Sequence, residues 1–230
     1  MRRTDAPAGR APRAARPRFM TAALAALFLL AFAGAAAAQK APPPKNGEPP
    51  KTIEGGNLVV HVPVGIEVGF AAPDFKLPYA TKEKIFLRPD EHMSLSSLRG
   101  KTVVLAFYPA DWSSGCTAEV CTFRDTFADL GKLNAVVLGI SGDYVFSHHE
   151  WAKHHNLPFA LLSDHDHKVA REYDSYMEQY GMNKRTVFVI DRDGRVRYAN
   201  LAFKANDKKD YDALRAEIEK LSAAASATEQ

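Results

Sequence analysis

Short apolar runs alternate along this chain with longer stretches whose apolar residues recur every three or four positions. The runs predict buried strands, and the three-to-four spacing predicts amphipathic helices. The predicted strands are 58–62, 84–88, 92–95, 102–108, 135–140, 159–162, 186–190 and 195–201. The predicted helices are 114–130, 144–156, 164–173 and 207–222. This order predicts an α/β fold with a central mixed β-sheet flanked by helices.

Residues that favour turns mark the boundaries between these elements. Gly131 is a natural C-terminal cap for the first long helix, and Asp164 is placed to cap the third helix. Pro89-Asp90 predicts a turn between the second and third strands. Residues 191–194, Asp-Arg-Asp-Gly, predict a hairpin turn between the last two strands.

Residues 1–38 have the pattern of a secretory signal peptide. Arginines precede an apolar run from Ala22 to Phe32, and small residues lead to a predicted cleavage site before Gln39. The run is shorter than the roughly 20 residues of a membrane span. We therefore expect export, to a bacterial periplasm, with no stable membrane association after cleavage. Retention of the segment as an uncleaved anchor is the alternative.

Cleavage of that segment would change the charge of the chain. The whole sequence has 30 basic and 27 acidic residues and a net charge of +3. Six arginines and one aspartate lie in residues 1–38, so the remainder has 24 basic and 26 acidic residues. A basic surface for nucleic acid is not indicated.

The remainder divides into a Pro/Gly-rich linker, one domain and a frayed tail, at 39–56, 57–223 and 224–230.

Both cysteines lie where strand 102–108 leads into helix 114–130. Cys116 falls at the start of the helix, where free backbone N–H groups and the helix dipole favour a thiolate. Cys121 is five residues further along the same helix, which separates the two Cα atoms by about 8–9 Å, beyond the roughly 7 Å limit of a disulfide. We therefore expect a nucleophile at Cys116 rather than a structural disulfide, and a disulfide only where the helix turn unwinds.

The residues around Cys116 resemble the peroxiredoxin motif Pro-x-x-x-Thr/Ser-x-x-Cys, through Pro109 and Ser113. Cys121, followed by Phe-Arg-Asp, resembles the bacterioferritin-comigratory, or Q-type, branch of that family. The resemblance covers about 68–201 and implies a thioredoxin-like fold. Two features depart from the pattern, because a serine stands where threonine is commoner and the segment 79–94 is longer than the usual hairpin. Further matches in family order are 72–75, 98–101, 161–164, 169–170 and 185–191.

The resemblance implies a thiol-dependent peroxidase that uses no cofactor. Cys116 would attack hydrogen peroxide or an organic hydroperoxide and become a sulfenic acid, and Arg185 would stabilise the thiolate and bind the peroxide. Cys121 would resolve the sulfenic acid as an intramolecular disulfide. A thioredoxin-like dithiol reductant would recycle it. With both thiols in one helix, the resemblance implies a monomer.

Three further residues receive roles from the resemblance, each beside a structural alternative. The Ser113 hydroxyl would bind the peroxide, or it would cap the helix. Pro109 would shield the thiolate from water, or it would only end the strand. Glu119 would orient the arginine, and an acid in the first helical turn is in any case favourable. Phe107 and Trp112 are interpreted as walls or core.

Four rival interpretations are open from the sequence. An exported thiol–disulfide oxidoreductase usually carries Cys-x-x-Cys, and the longer spacing here disfavours it; a redox-inert interaction module is the non-enzyme alternative. The histidines between 148 and 167 suggest a metal site, but without a nearby cysteine we interpret them as a solvated face and expect no metal. A copper chaperone would need a Cys-x-x-x-Cys pair.

Overall fold

The computed structural model describes residues 66–228, except for the side chains of residues 127, 128 and 228, and these residues belong to one compact unit. The predicted strand 58–62, the linker and the signal segment lie outside them. The strands are β1 Lys76–Leu77, β2 Tyr79–Ala80, β3 Ile85–Phe86, β4 Met93–Ser94, β5 Thr102–Phe107, β6 Ala135–Ser141, β7 Ala160–Ser163, β8 Tyr176–Met177, β9 Met182–Asn183, β10 Thr186–Ile190 and β11 Val196–Asn200. The helices are α1 Ser114–Lys132, α2 Val145–His154, α3 Lys168–Glu172 and α4 Lys208–Thr228, with a 3₁₀ turn at Ser96–Leu98.

Seven strands form the central sheet in the order β11–β10–β5–β6–β7–β2–β3. Strands β5, β6 and β7 are parallel, whereas β10 runs antiparallel to both β5 and β11. Strand β2 is antiparallel to β7 and to β3. The predicted α/β fold with a mixed sheet is therefore confirmed.

Strand β5 is the centre of the sheet, and all six of its residues are buried. Val104 and Ala106 face a core that also contains Cys116 and the apolar side of α4. Leu105 and Phe107 face the core on the opposite side of the sheet. A strand that is covered on both faces needs apolar residues at every position, which explains the continuous apolar run in the sequence.

Several helix ends differ from the predictions, and α3 begins at Lys168 rather than at Asp164. Helix α1 runs through Gly131 to Lys132, and the left-handed residue beyond its end is Asn134, with φ 54°. Asparagine tolerates this conformation, so the predicted glycine cap is wrong. Helix α4 continues to Thr228, six residues beyond the predicted end and through most of the predicted frayed tail. Its last turns are rich in alanine, which has the highest helix propensity.

The turn at Pro89-Asp90 forms as predicted, with the Glu91 N–H donating to the Arg88 carbonyl at 2.9 Å. The strands on either side do not pair with each other, because β3 pairs with β2 and β4 pairs with β1. The Asp74 carboxylate accepts the backbone N–H of Ser96 at 2.9 Å and holds β1 beside β4. This contact joins residues that are far apart in the sequence, and it explains why the two strands around the turn do not pair with each other.

Candidate active site

The register between β5 and β10 builds the site. Thr186, the first residue of β10, pairs with Phe107, the last residue of β5. The chain leaves β5 through a short loop and enters α1 at Ser114. Arg185 therefore lies beside the first turn of α1, although it is distant in sequence.

Arg185 bridges the two side chains that the sequence predicts as its partners. Its Nη2 donates to the Cys116 Sγ at 3.2 Å, and its Nη1 donates to the Glu119 carboxylate. Cys116 and Glu119 are both 0 % exposed, whereas Arg185 is partly accessible. Gly115 leaves room for this approach, because a Cβ there would lie only 3.3 Å from the Arg185 Nη2. Nothing in the sequence singles out this glycine except its position beside Cys116.

The cluster places a cation against the sulfur of Cys116. Burial lowers the pKa of Arg185, but the Glu119 carboxylate and the Cys116 sulfur together raise it above its ordinary value, so the guanidinium stays cationic. Burial raises the pKa of Glu119 to about 7, against the opposing effect of Arg185. A fixed cation at hydrogen-bond distance from the sulfur stabilises its anionic form.

Ser113 and Pro109 lie in the loop between β5 and α1. Ser113 is the N-cap residue of α1 by position, but its side chain makes no capping hydrogen bond. Its exposed hydroxyl donates to the Ala110 carbonyl at 3.1 Å, which leaves the oxygen lone pairs able to accept. Pro109 is half-buried and follows the end of β5, a position compatible with both of its predicted roles.

Cys121 lies on the same unbroken helix as Cys116, and both thiols are free. Cys121 is partly buried, and its Sγ contacts the Nδ1 of His155 at 3.8 Å. The structure therefore brings Cys116, Arg185 and Glu119 into direct contact. It keeps Cys121 apart from them on the helix.

A buried hydrogen-bond network supports the loop, and sequence reasoning missed it. Asp111 accepts from the Tyr108 hydroxyl at 2.8 Å and the Ser147 hydroxyl at 2.7 Å, and its Oδ2 lies 2.9 Å from the His148 Nδ1. Ser147 in turn accepts from the Trp112 indole N–H at 3.2 Å. The network joins the active-site loop to the first turns of α2 and fixes the backbone that leads to Cys116.

The interpretation of the histidines as a solvated face is wrong for His148, which is 0 % exposed. It belongs to the buried face of α2 with Val145, Trp151 and Ala152, and this three-residue periodicity was the available signal. Within residues 66–228, no group of three or more His, Cys, Asp or Glu side chains is arranged to hold a metal ion. Phe107 is core as predicted, whereas Trp112 is 52 % exposed at φ 61°.

Comparison with known families identifies this arrangement. The AhpC/TSA family model matches residues 68–199, which is more than half of the chain. The chain belongs to the AhpC/TSA family. As a member of this family it is a peroxiredoxin, and membership favours a thiol peroxidase over the oxidoreductase and the redox-inert module considered from the sequence.

Individual relatives place this peroxiredoxin in the Bcp/Q branch. Peroxiredoxin Bcp of Bacillus subtilis is 38% identical over 137 residues, which cover 57% of this chain and 82% of that protein. The chloroplastic peroxiredoxin Q of Oryza sativa subsp. japonica is 39% identical over 166 residues, 72% of this chain and 71% of that protein. The branch predicted from the cysteine spacing is confirmed.

Solved structures agree on the thioredoxin-like fold of this peroxiredoxin. The peroxidoxin BcpB of Mycobacterium tuberculosis superimposes with a TM-score of 0.59 at 30% identity, covering 68% of this chain and 98% of that chain. AhpC of Enterococcus faecalis gives a TM-score of 0.60 at 22% identity, covering 73% of this chain and 96% of that one. The second match supports the fold alone.

Proposed function

We propose that this peroxiredoxin reduces hydrogen peroxide or an organic hydroperoxide at Cys116, and that Cys121 resolves the product as an intramolecular disulfide. The observation that carries the proposal is the 3.2 Å contact between the Arg185 Nη2 and the Cys116 Sγ. The sulfur is buried, and the cation that contacts it is partly accessible. This arrangement is suited to bind a small, polar, uncharged substrate.

In the first step the Cys116 thiolate attacks the nearer peroxide oxygen. A sulfur–oxygen bond forms as the oxygen–oxygen bond breaks, so the sulfur is oxidised to a sulfenic acid and the peroxide is reduced. The leaving hydroxide or alkoxide takes up a proton and departs as water or an alcohol. Arg185 offsets the negative charge that moves from the sulfur to the leaving oxygen, and the Ser113 oxygen accepts the peroxide O–H.

In the second step Cys121 attacks the sulfenic sulfur of Cys116. A sulfur–sulfur bond forms, the sulfur–oxygen bond breaks, and the oxygen leaves as water. The intact α1 opposes this step, because a five-residue helical separation keeps the two Cα atoms about 8–9 Å apart. The first turns of α1 therefore open before the disulfide closes, and the cycle alternates between a folded reduced form and a locally unfolded oxidised form.

A dithiol reductant of the thioredoxin type closes the cycle by thiol–disulfide exchange. A disulfide in an opened segment of chain is accessible to such a partner. The monomer is sufficient for every step, since both thiols belong to one helix. Light scattering of the purified reduced and oxidised protein checks the monomer.

Export to the periplasm is part of the proposal and has its own test. The support is the arrangement of residues 1–38, with arginines, an apolar run and small residues before Gln39. No helix within residues 66–228 is long and apolar enough to cross a membrane. Mass spectrometry of the protein expressed with a C-terminal tag in a Gram-negative host determines the mature N-terminus. An intact leader in the cytoplasmic fraction would contradict export.

The function is tested by peroxide consumption with dithiothreitol as the reductant. The wild-type protein is expected to turn over repeatedly with hydrogen peroxide and with cumene hydroperoxide. Cys116→Ser is expected to consume neither. Cys121→Ser is expected to consume about one equivalent of peroxide and then to stop, when the assay uses a dithiol reductant that reduces disulfides but not sulfenic acids. Sustained peroxide consumption by Cys116→Ser would overturn the proposal.

A further inference from the structure

The thiol of Cys121 does not face Cys116 but a histidine on a neighbouring helix. Its Sγ lies 3.8 Å from the Nδ1 of His155, the residue that caps the C-terminal end of α2. Both side chains are partly buried. A thiol is a weak donor and needs an acceptor, and an imidazole nitrogen is the usual group that removes its proton in enzymes.

The position of His155 is fixed from two sides. Arg124, three residues after Cys121 on α1, donates from its Nη1 to the His155 carbonyl at 2.9 Å. The imidazole packs edge-on against the buried Trp151, with ring centroids 5.9 Å apart. Residues three apart on a helix lie on the same face, so one face of α1 holds both the thiol and the anchor of the histidine.

The surroundings keep His155 neutral at neutral pH. Burial lowers the pKa of His155, and the nearby His154 and Arg124 lower it further. Arg124 stays cationic because its hydrogen bond to Asp125 raises its pKa. The turn between β2 and β3 adds one more cation to this end of α2, since Lys82 Nζ donates to the Asn156 Oδ1 at 2.9 Å. A neutral imidazole in this setting is a proton acceptor.

We propose, on the basis of the resolving role given to Cys121 above, that His155 is the general base of the resolution step. The first turns of α1 open and bring the sulfenic sulfur of Cys116 to Cys121, which stays beside His155. The Cys121 thiol passes its proton to the His155 Nδ1 as its sulfur attacks, and the adjacent Arg124 stabilises the developing thiolate. The sulfur–sulfur bond forms, the hydroxide leaves, and the proton held by His155 returns through solvent to make water.

This assignment separates the two halves of the cycle. Arg185 serves the oxidation of Cys116 at the start of α1, and His155 serves Cys121 at the contact with α2. An ordinary cysteine thiol ionises near pH 8.5, so only a few per cent is thiolate at neutral pH. Removal of the proton by a neighbouring base therefore accelerates resolution by roughly tenfold at neutral pH, and the advantage disappears near pH 9.

The test measures the rate of disulfide formation after a single addition of peroxide, from about pH 6 to about pH 9. The variants are His155→Asn, which retains a polar group near the position of Nδ1 but cannot take a proton, and His155→Ala. His149→Ala is the matched control, because it removes a histidine of the same helix whose ring contacts the Thr81 carbonyl at 2.8 Å. Rapid acid quenching and mass spectrometry separate the sulfenic acid from the disulfide.

We expect both His155 variants to form the disulfide roughly tenfold more slowly than wild type near pH 7 and at the wild-type rate near pH 9. The His149→Ala control is expected to follow the wild-type pH profile. Identical profiles for wild type and His155→Asn would overturn the role of His155 and leave the peroxidase function standing. Faster resolution in His155→Ala would also overturn it, since His155 would then only hold the helix closed.

A second measurement does not require His155 to be replaced. In Cys116→Ser the remaining thiol is Cys121, and the pH dependence of its alkylation by iodoacetamide reports whether a neighbouring base removes its proton. Reaction that begins in the pH range of a histidine, below that of an ordinary thiol, supports the assignment. Reaction that follows an ordinary thiol near pH 8.5 contradicts it. If the wild-type protein forms no disulfide between Cys116 and Cys121, the resolving role itself fails, and the role of His155 fails with it.

Discussion

The Arg185 Nη2 lies 3.2 Å from the Cys116 Sγ, although 69 positions separate the two residues in the sequence. The contact depends on the register in which β10 runs antiparallel to β5. Any change that slides or loosens this pair of strands would move the cation away from the sulfur. The reactivity of Cys116 is therefore a property of the sheet as much as of the helix that carries it.

Replacement of Arg185 by alanine is expected to lower the rate constant for reaction with peroxide by about 10²–10³-fold, the usual effect of removing one donor from a charge-stabilising site. Arg185→Lys is expected to recover only part of this loss, because an ammonium group does not reproduce the two-pronged contact with Cys116 and Glu119. Stopped-flow measurement of Cys116 oxidation gives the rate.

Lys184→Ala is the matched control for the Arg185 variants. It removes a neighbouring cation whose ammonium group binds Asp174 at 2.8 Å and takes no part in the site. Its rate of oxidation by peroxide should stay near that of wild type. If Arg185→Ala reacts as fast as this control, the guanidinium does not activate Cys116.

Gly115 and Gly131, both in α1, provide a matched pair of alanine substitutions for comparing peroxidase activity. A Cβ at Gly115 would lie 3.3 Å from the Arg185 Nη2, whereas a Cβ at Gly131 would meet no atom within 4 Å. Gly131→Ala is expected to stabilise the protein by about 0.5–1 kcal/mol through helix propensity, with unchanged peroxidase activity. Gly115→Ala is expected to displace the guanidinium and to slow the reaction with peroxide several-fold. Equal activities of the two variants would show that Arg185 tolerates the displacement.

Glu119 should make the protein less stable as the pH rises, whereas an ordinary ion-paired carboxylate makes a protein more stable as the pH rises. Its pKa of about 7 in the folded protein exceeds the value near 4.3 of an unfolded chain, so the folded state holds a proton that the unfolded state has released. This contribution is complete below the unfolded pKa and is lost as the pH rises towards the folded one. The wild type should therefore lose stability relative to Glu119→Gln between about pH 5 and pH 7, at about 1.4 kcal/mol per pH unit. Urea unfolding of both proteins measures the difference, and a constant difference would contradict the raised pKa.

The pair of Asp111 and His148 should dominate the stability of the active-site loop. His148→Ala leaves a buried carboxylate without its ring partner, which is expected to cost about 3 kcal/mol. The adjacent His149, a partly buried residue whose ring contacts the Thr81 carbonyl at 2.8 Å, is the control, and its alanine variant should cost about 1 kcal/mol or less. A double-mutant cycle with Asp111→Asn measures the coupling, and additive losses would mean that the two side chains act independently.

The sequence was sufficient to predict the sheet, the position of Cys116 at a helix start and its partnership with Arg185. The sheet and the helix start rest on apolar patterns that are local in the sequence, whereas the partnership with Arg185 was implied by the resemblance to the peroxiredoxins. The pairing of β4 with β1 was not predictable in this way, because it depends on the Asp74 contact between distant segments. The turn predicted at Pro89 forms, but the strands on either side of it pair with other strands.

The same limit explains the errors at single residues. His148 was assigned to the surface on account of its polarity, yet the buried carboxylate of Asp111 gives it a partner that only the folded chain supplies. Asn134, not Gly131, takes the left-handed conformation after α1. Side-chain polarity and helix propensity predict the burial and conformation of a residue poorly where a contact with a residue distant in sequence determines them.

The central claim is that Cys116 is oxidised first and that Cys121 reaches it only when the first turns of α1 open. Hydrogen exchange followed by mass spectrometry, on the reduced protein and on the protein oxidised by one equivalent of peroxide, tests this most directly. The account predicts protected amides around residues 116–121 in the reduced form and a selective loss of protection there in the oxidised form, together with one intramolecular disulfide. Equal protection of this segment in both redox states, or oxidation without a disulfide between the two cysteines, would contradict it.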